Sequence, residues 1–486
     1  MVFSSAIFLF LFLPFVLLGH WLVGRRLRNI FLLSASLIFY AWGEGAYVLM
    51  MLLSIACNYA FGRILDDPLL QGQFRKRRKL LLFFMLLANL LPLFYFKYYT
   101  FFLNNFSSLF GNNSDLISAS SDIHLPIGIS FFTFQAMSYL IDVYRKVNKA
   151  QRSVLAVGLY ISLFPQLIAG PIVRYSSVAE QLKSRIQSIA LFSSGVERFI
   201  YGLAKKMLIA NQLGYVADAV FALPSAELTF TTAWLGVLCY TLQIYFDFSG
   251  YSDMAIGLGR MLGFRFQENF NFPYIATSIR EFWHRWHISL SSWFRDYVYI
   301  PLGGNRYGKL TTTRNLIIVY LVCGLWHGAS WNFIIWGLLH GAFLALERGS
   351  WGKVLHSLPR VFQHMYVSVV ILSTFVFFRA ETLNSSLGYL SAMFSWDNSL
   401  AVHTRIAIEL DIEFYLTLCS GILISTPIFG YVSSRLRNQQ LTTSSGNCVA
   451  TLSSHFFKIT LLMMLLALAS MEIANGSYNP FIYFRF

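Results

Sequence analysis

The residue best placed to do chemistry in this sequence is His327, an imidazole between the apolar runs 316–325 and 331–346. It lies in the pentapeptide Gly324-Leu325-Trp326-His327-Gly328. An ionisable side chain is costly in a bilayer, which makes each one a candidate functional residue. Imidazole titrates near neutral pH, so His327 could act as a general base toward a hydroxyl nucleophile. The alternative is a packing histidine that is hydrogen-bonded to a neighbouring helix.

A second set of candidates lies in residues 278–306, a stretch too charged to span a bilayer. Ser278 and Glu281 match a capping box, which predicts that a helix begins here. At helical spacing, this helix carries an apolar stripe made of Phe282, Trp283, Trp286, Leu290, Trp293, Phe294 and Tyr297. At i, i+3, i+7 and i+11 it carries a polar stripe made of His284, His287, Ser291 and Arg295. The pattern predicts either an amphipathic helix at the membrane surface or the lining of a polar tunnel.

Two carboxylates, Asp247 and Asp253, lie inside the apolar run 231–262. Six residues apart, they point to different sides of a helix, so a paired acid–base dyad is not expected. The favoured interpretation is that each bonds an arginine or a neighbouring helix. The alternative is a proton-coupled transporter in which these aspartates and the histidines form a relay. Such a transporter should show paired repeats or matched broken helices, and the sequence has neither.

The elements that must position these residues are membrane helices. Hydrophobic residues make up 56% of the chain and charged residues 12%, and the mean hydropathy is +0.57. About a dozen apolar runs approach the length that a spanning helix needs. The net charge of +15 lies mostly in short loops, which indicates orientation and attraction to anionic membrane lipid, and not nucleic-acid binding. The five cysteines lack metal-ligand spacing, so we expect neither disulfides nor a metal site.

The loop charges predict about twelve crossings, with both termini outside the cytoplasm. The basic block 75–79 is one cytoplasmic loop. Basic residues flank the hairpin 316–346 at both ends, which puts those ends in the cytoplasm and His327 near the tip, deep in the membrane. Segment 153–173 carries Pro165, Gly170 and Pro171, and we expect it to be a re-entrant or broken element.

The chain also carries a dense set of motifs over residues 1–346. They are Met1-Val2-Phe3-Ser4-Ser5, Leu125-Pro126-Ile127-Gly128-Ile129-Ser130-Phe131, Leu167-Ile168-Ala169-Gly170-Pro171, Tyr245-Phe246-Asp247-Phe248-Ser249-Gly250-Tyr251-Ser252-Asp253, Glu281-Phe282-Trp283-His284-Arg285-Trp286-His287-Ile288-Ser289-Leu290-Ser291 and Leu325-Trp326-His327-Gly328. This combination resembles the membrane-bound O-acyltransferase (MBOAT) superfamily, and more narrowly its bacterial alginate O-acetyltransferase-like branch. Beyond residue 347 the resemblance is one of helix pattern.

The resemblance implies an all-α polytopic fold, with a ring of helices around a central tunnel and re-entrant and amphipathic interfacial helices. It implies a single membrane domain over 1–486, in which 1–346 holds the motifs and the catalytic hairpin and 347–486 holds further helices. In such a family His327 is the catalytic histidine and His287 is the second active-site position. The expected tunnel lining is His284, Ser291, Arg295 and Trp326.

The implied activity is O-acetylation of an exported polysaccharide such as alginate or cellulose. Acetyl-CoA is the expected acyl donor, with no bound cofactor and no metal. The expected setting is the bacterial inner membrane, and the expected partners are an exported serine O-acetyltransferase of the SGNH type and a polysaccharide synthesis and export complex. Transfer of D-alanyl or another acyl group to a cell-envelope polymer is the alternative within the family.

The C-terminal tail 476–486 is rich in aromatic residues and follows the last apolar run. One interpretation is an interfacial aromatic belt. The other is that the tail enters the outer mouth of the tunnel. In that case the phenol of Tyr483 could take the acyl group as an ester and pass it to the external partner.

Overall fold

The computed structural model describes residues 1–70, 74–110, 124–395, 410–428, 431, 448–476 and 478–480. Regular structure in these residues is helical throughout, which confirms the all-α class. The α-helices are, in chain order, α1 (Leu13–Leu22), α2 (Arg28–Glu44), α3 (Val48–Leu65), α4 (Arg75–Leu93), α5 (Tyr99–Phe110), α6 (Ile129–Tyr144), α7 (Val154–Ser162), α8 (Phe164–Leu167), α9 (Tyr175–Lys183), α10 (Ile189–Ala204), α11 (Asn211–Phe221), α12 (Phe230–Met261), α13 (Ile279–Arg285), α14 (Ile288–Phe294), α15 (Lys309–His327), α16 (Trp331–Glu347), α17 (Ser350–Ser357), α18 (Arg360–Arg379), α19 (Leu383–Phe394), α20 (Ile412–Ile424) and α21 (Cys448–Ala474). Wider π-helical turns occur at Phe8–Phe12, Phe94–Tyr98, Lys205–Ala210 and Arg295–Tyr299, and 3-10 turns at Gly45–Tyr47, Pro68–Leu70, Ser225–Glu227 and Pro273–Ile275.

The helical surface has the apolar character of a membrane protein. Large side chains such as Trp21, Leu49 and Met463 are exposed on helices, where lipid would cover them. Among the described residues, four helical stretches are long and apolar enough to cross a membrane: Arg28–Leu65, Lys76–Ser107, Arg360–Arg379 and His455–Ala474. Shorter apolar helices are Phe8–Leu22, Trp331–Glu347 and Ile412–Ile424. The count of about twelve crossings stays a prediction, because it depends on these shorter helices.

The chain forms two compact units that interleave along the sequence. One comprises Met1–Val196, Ala255–Gln267 and Gly328–Ser330, and the other comprises Glu197–Met254, Glu268–His327 and Trp331–Phe486. The single domain over 1–486 and the ring around a tunnel stay predictions.

In the first unit, segment 153–173 is broken, as predicted, and its residues 156–173 are buried. α7 ends at Ser162, and the chain extends at Leu163 before the short α8. Side chains of the same unit satisfy the irregular backbone: Ser36 Oγ accepts from Phe164 N–H at 3.1 Å, and the Tyr160 hydroxyl donates to Val173 O at 3.1 Å. Non-helical backbone persists in such a setting because protein surrounds it.

In the second unit, α15 and α16 form the predicted hairpin, and their backbones touch. A Cβ atom added at Gly324 would overlap the carbonyl oxygen of Phe333, and one added at Gly337 would overlap that of Tyr320. Small residues allow this approach, which is the usual basis of tight helix packing in membranes. The contact sets the position of His327, which lies one turn beyond Gly324 at the end of α15.

We expect Gly324→Ala to destabilise the protein by about 1–3 kcal/mol, because the added methyl group separates two helices in backbone contact. The control is Gly421→Ala, where a Cβ atom would meet side chains at ordinary distances of 3.4–3.5 Å. Thermal unfolding in detergent measures both variants. Equal melting temperatures for the two variants would contradict the close hairpin.

Candidate active site

Aromatic rings enclose His327. The residue ends α15 and has 6% of its surface exposed. Its ring lies 4.8 Å from that of Trp326, 4.9 Å from that of Phe378 and 5.1 Å from that of Trp336, between centroids. Phe378 belongs to α18 and Trp336 to α16, so three helices fix the imidazole. Rings of this kind exclude bulk water from it.

The predicted single helix after residue 278 is interrupted at His287, and that part of the prediction is wrong. α13 ends at Arg285, and His287 adopts a left-handed conformation with φ 42° and ψ 55°. The preceding loop supplies the hydrogen bonds: Asn271 N–H donates to Arg285 O, and Ile288 N–H donates to Asn269 O, each at 2.9 Å. Because the loop satisfies these backbone groups, the chain turns at His287 instead of continuing as a helix.

Other features of this stretch follow the sequence. Ser278 Oγ accepts a hydrogen bond from Glu281 N–H at 3.1 Å, which confirms the predicted helix start. All seven residues of the predicted apolar stripe are buried. The break divides the polar stripe, however. His287 is buried with 1% of its surface exposed, while the other three members line a cavity.

Asn269 holds His287 by its side chain. Its Oδ1 lies 3.1 Å from His287 Nδ1 and accepts hydrogen bonds from Ser289 N–H at 3.1 Å and Ser289 Oγ at 2.8 Å. A backbone N–H can only donate, so the Asn269 atom facing it is the oxygen. His287 Nδ1 therefore carries the hydrogen, and in the neutral ring Nε2 is the acceptor. This Nε2 is buried and has no hydrogen-bond partner within the described part of the chain.

The two predicted active-site histidines contact the same tryptophan. The Trp326 ring lies 6.1 Å from that of His287 and 4.8 Å from that of His327. Trp326 is thus a spacer between the imidazoles, and it is absent from the lining of the cavity that holds the other candidates. Tyr483 lies outside the described residues. The roles of all these residues stay predictions.

A cavity of about 290 Å³ adjoins this region. His284, Ser291 and Arg295 line it together, although the helix that should have aligned them is broken. Arg280 and Arg348 add two further exposed guanidinium groups. The inner wall is apolar and includes Leu344, Tyr320 and Cys323, and Cys323 precedes His327 by one helical turn on α15.

The aspartates of α12 are ion-paired, as predicted for a structural role. Asp253 contacts Arg198 at 2.6 Å and Lys205 at 2.7 Å. Asp247 contacts Lys206 at 2.6 Å, and this second pair is almost fully buried. The two carboxylates contact different cations, as expected for residues on different sides of the helix.

A third buried imidazole, His340, was missed in the sequence. Trp283 Nε1 donates to His340 Nδ1 at 3.3 Å, and the His340 ring lies 4.8 Å from that of Trp336. Trp336 therefore lies between His340 and His327. Trp326 lies between His287 and His327 in the same way. The signal was available, because His340 is an ionisable residue inside the apolar run 331–346.

Residues 128–387, more than half of the chain, match the sequence model of the membrane-bound O-acyltransferase family. The chain belongs to this family and is a multi-pass membrane O-acyltransferase, which confirms the predicted enzyme class. Among its relatives is the probable alginate O-acetylase AlgI of Azotobacter vinelandii, 39% identical over 504 residues that cover both chains completely. This likeness confirms the resemblance to the alginate O-acetyltransferase-like branch.

Two further relatives carry other acceptors in their names. The peptidoglycan O-acetyltransferase of Helicobacter pylori is 34% identical over 100% of this chain and 98% of its own. The teichoic acid D-alanyltransferase of Bacillus subtilis is 28% identical over 76% of this chain and 93% of its own. The names of these relatives all describe acyl transfer to a polymer.

We expect Asn269→Ala to lower acyl transfer about 10–100-fold with normal membrane insertion, because the His287 ring loses its orienting acceptor. Asn269→Asp keeps an acceptor oxygen and adds a charge that stabilises the imidazolium. The acidic limb of its pH–rate profile should therefore move to higher pH. Asn271→Ala is the control, since it removes an exposed side chain from the same loop. Wild-type rates for Asn269→Ala would show that the bond is dispensable.

Proposed function

We propose that this protein moves an acetyl group from cytoplasmic acetyl-CoA across a bacterial inner membrane for O-acetylation of an exported polysaccharide such as alginate or cellulose. The observation that carries the proposal is the pair of buried imidazoles, His287 and His327, that contact one indole ring. One helical turn from His327 lies the wall of a cavity with a basic rim. These are the parts that acyl transfer between a thioester and a hydroxyl needs.

The cavity supports a CoA thioester as donor. Arg280, Arg295 and Arg348 present three guanidinium groups, which suit the phosphates of CoA, and Arg295 also pairs with Asp296 at 2.7 Å. The apolar inner wall suits the acyl arm. Basic residues at both ends of the α15–α16 hairpin favour a cytoplasmic position for this side of the unit. A donor entering here would bring its thioester toward the aromatic rings that enclose His327.

In the proposed reaction, a hydroxyl oxygen attacks the thioester carbonyl. His327 takes the hydroxyl proton, the new C–O bond forms, and the C–S bond breaks as the CoA thiolate leaves and is protonated. The attacking hydroxyl has one hydrogen, and it donates this hydrogen to His327. His287, fixed by the bond between Nδ1 and Asn269 and packed against Trp326, keeps the shape of the site around the reacting groups.

The acceptor of this first transfer is, in our proposal, the phenol of Tyr483. A phenol is a better leaving group than a sugar hydroxyl, so its ester can pass the acetyl group onward to a serine. An exported serine O-acetyltransferase of the SGNH type would take it outside the membrane, beside the polysaccharide export complex. The route needs both termini outside the cytoplasm, and CoA itself never crosses.

The relatives favour acetyl over D-alanyl, since those named for acetyl transfer are 39% and 34% identical and the D-alanyl relative is 28% identical. D-alanyl transfer is the second candidate, and the mass added to the acceptor distinguishes the two. A proton relay through Asp247 and Asp253 has little support, because each carboxylate is held by a cation.

Replacing His327 by alanine should reduce polymer acetylation at least about 100-fold, the effect of losing a general base. Polymer secretion should continue, because transport does not depend on the imidazole. His356→Ala, which removes an exposed imidazole from α17, is the matched control. Near-normal acetylation in the His327 variant, with both proteins present in the membrane at equal amounts, would rule out the assigned role.

Tyr483→Phe should abolish polymer acetylation, because it removes the one oxygen that carries the acetyl group and keeps the ring. Tyr307→Phe removes an exposed loop phenol and serves as the control. Polymer acetylation is read by mass change after enzymatic digestion of the polysaccharide. If the tail is an aromatic anchor, both variants acetylate normally and the relay is disproved.

A further inference from the structure

We infer that the second unit contains a built dock for the C-terminal tail, and that this dock positions Tyr483 for the acyl relay. The dock is a set of four residues, Lys206, Asp218, Asp247 and Arg379, that holds residues 478–480. Its role in catalysis rests on the proposed function, whereas the dock itself consists of described residues. Neither the motifs nor the relatives' names indicate it.

One end of the dock is Asp218 on α11. Its carboxylate accepts a hydrogen bond from the Tyr478 hydroxyl and another from the Arg379 guanidinium. The Tyr215 ring, one turn earlier on α11, meets the Tyr478 ring edge-on at 6.0 Å. Hydrogen bonds to an ionised acceptor are stronger than bonds between neutral groups. Asp218 therefore anchors Tyr478, the first residue of the segment 478–480.

The other end is Lys206, whose ammonium group donates to the carbonyl oxygen of Pro480. The Lys206 side chain is 4% exposed and that of its ion-pair partner Asp247 is 2% exposed. A buried ion pair is favourable only when further hydrogen bonds satisfy its remaining polar groups. The tail carbonyl supplies one such bond, so the half-buried Pro480 is tied to the buried pair.

The contacts give the tail a direction. Lys458 on α21 pairs with Glu197 on α10 at 2.7 Å, and Tyr478, just after α21, bonds Asp218 on α11. α21 therefore runs parallel to the continuous helical stretch from α10 to α11. Gly476, with φ 61°, then turns the chain back, a conformation that glycine adopts readily. Lys206 lies twelve residues before Asp218, about 18 Å along a helix. The segment therefore runs back along the helix, toward its middle.

At two places in the sequence, a residue of the dock is followed or preceded directly by a residue whose ring contacts one of the histidines. Asp247 belongs to the dock, and the ring of the next residue, Phe248, lies 4.6 Å from that of His287. Arg379 belongs to the dock, and the ring of the preceding residue, Phe378, lies 4.9 Å from that of His327. A position three residues beyond Pro480 has at most about 11 Å of chain to reach from this anchor.

The dock can be tested without any activity. A photoreactive benzoylphenylalanine replaces exposed Asn479 in the full-length protein in native membranes, which leaves the Tyr478 hydroxyl and the Pro480 carbonyl in place. Cross-linked peptides are identified by mass spectrometry, and we expect cross-links to α11 or to the end of α18. The same probe in place of exposed Tyr307 is the control, and it should not label α11. Cross-links from position 479 that reach lipid alone, or other helices, would overturn the dock.

Tyr478→Phe tests the positioning role, because it removes the hydroxyl that bonds Asp218 and keeps the ring. We expect kcat to fall about tenfold or more, the effect of losing a hydrogen bond to a charged group. The KM for acetyl-CoA should stay unchanged, since the donor cavity is untouched. Unchanged kcat would show that the dock does not position the relay.

The outcomes separate the dock from the proposed function. Cross-links to α11 together with a silent Tyr483→Phe variant would keep the dock and remove its role in the relay, which overturns the positioning half of the inference. Missing cross-links together with an inactive Tyr483→Phe variant would overturn the dock and leave the proposed function intact.

Discussion

The cost of burying ionisable side chains in an apolar helical bundle governs the second unit of this protein. Among the described residues of this unit, several buried ionisable side chains are paired with an opposite charge or surrounded by aromatic rings. Lys206 and Asp247 form a buried pair, and Asp253 takes two cations. His327 is enclosed by aromatic rings from three helices. In our proposal these fixed positions preorganise the site for acyl transfer.

The same constraint explains why the candidate active site contains irregular backbone. His287 lies at a break between two short helices, and the loop that carries Asn269 satisfies the backbone groups that the break leaves free. An unbroken helix would have put His287 on the same face as the exposed His284. The break instead buries His287 against Trp326, which also contacts His327. A small set of loop hydrogen bonds thereby changes a surface histidine into a buried one.

Local patterns predicted much of the fold. The apolar runs, the helix start at Ser278, the broken segment 153–173 and the ion pairs of the α12 aspartates all follow from residue types and short spacings. The interruption at His287 could not be predicted in this way, because it depends on hydrogen bonds to Asn269, eighteen residues earlier. His340 and Lys206 were missed for a related reason: a single polar residue in an apolar run does not show which helix it will contact.

We propose that the acetyl group enters from the cytoplasmic side of the membrane and leaves on the other side. The most direct test supplies radiolabelled acetyl-CoA to sealed inverted membrane vesicles, whose cytoplasmic face is outside, and to sealed right-side-out vesicles. The label on the C-terminal peptide is then counted after digestion. We expect label on this peptide in inverted vesicles and only background in right-side-out vesicles. Equal label from both orientations, or label from right-side-out vesicles alone, would contradict it.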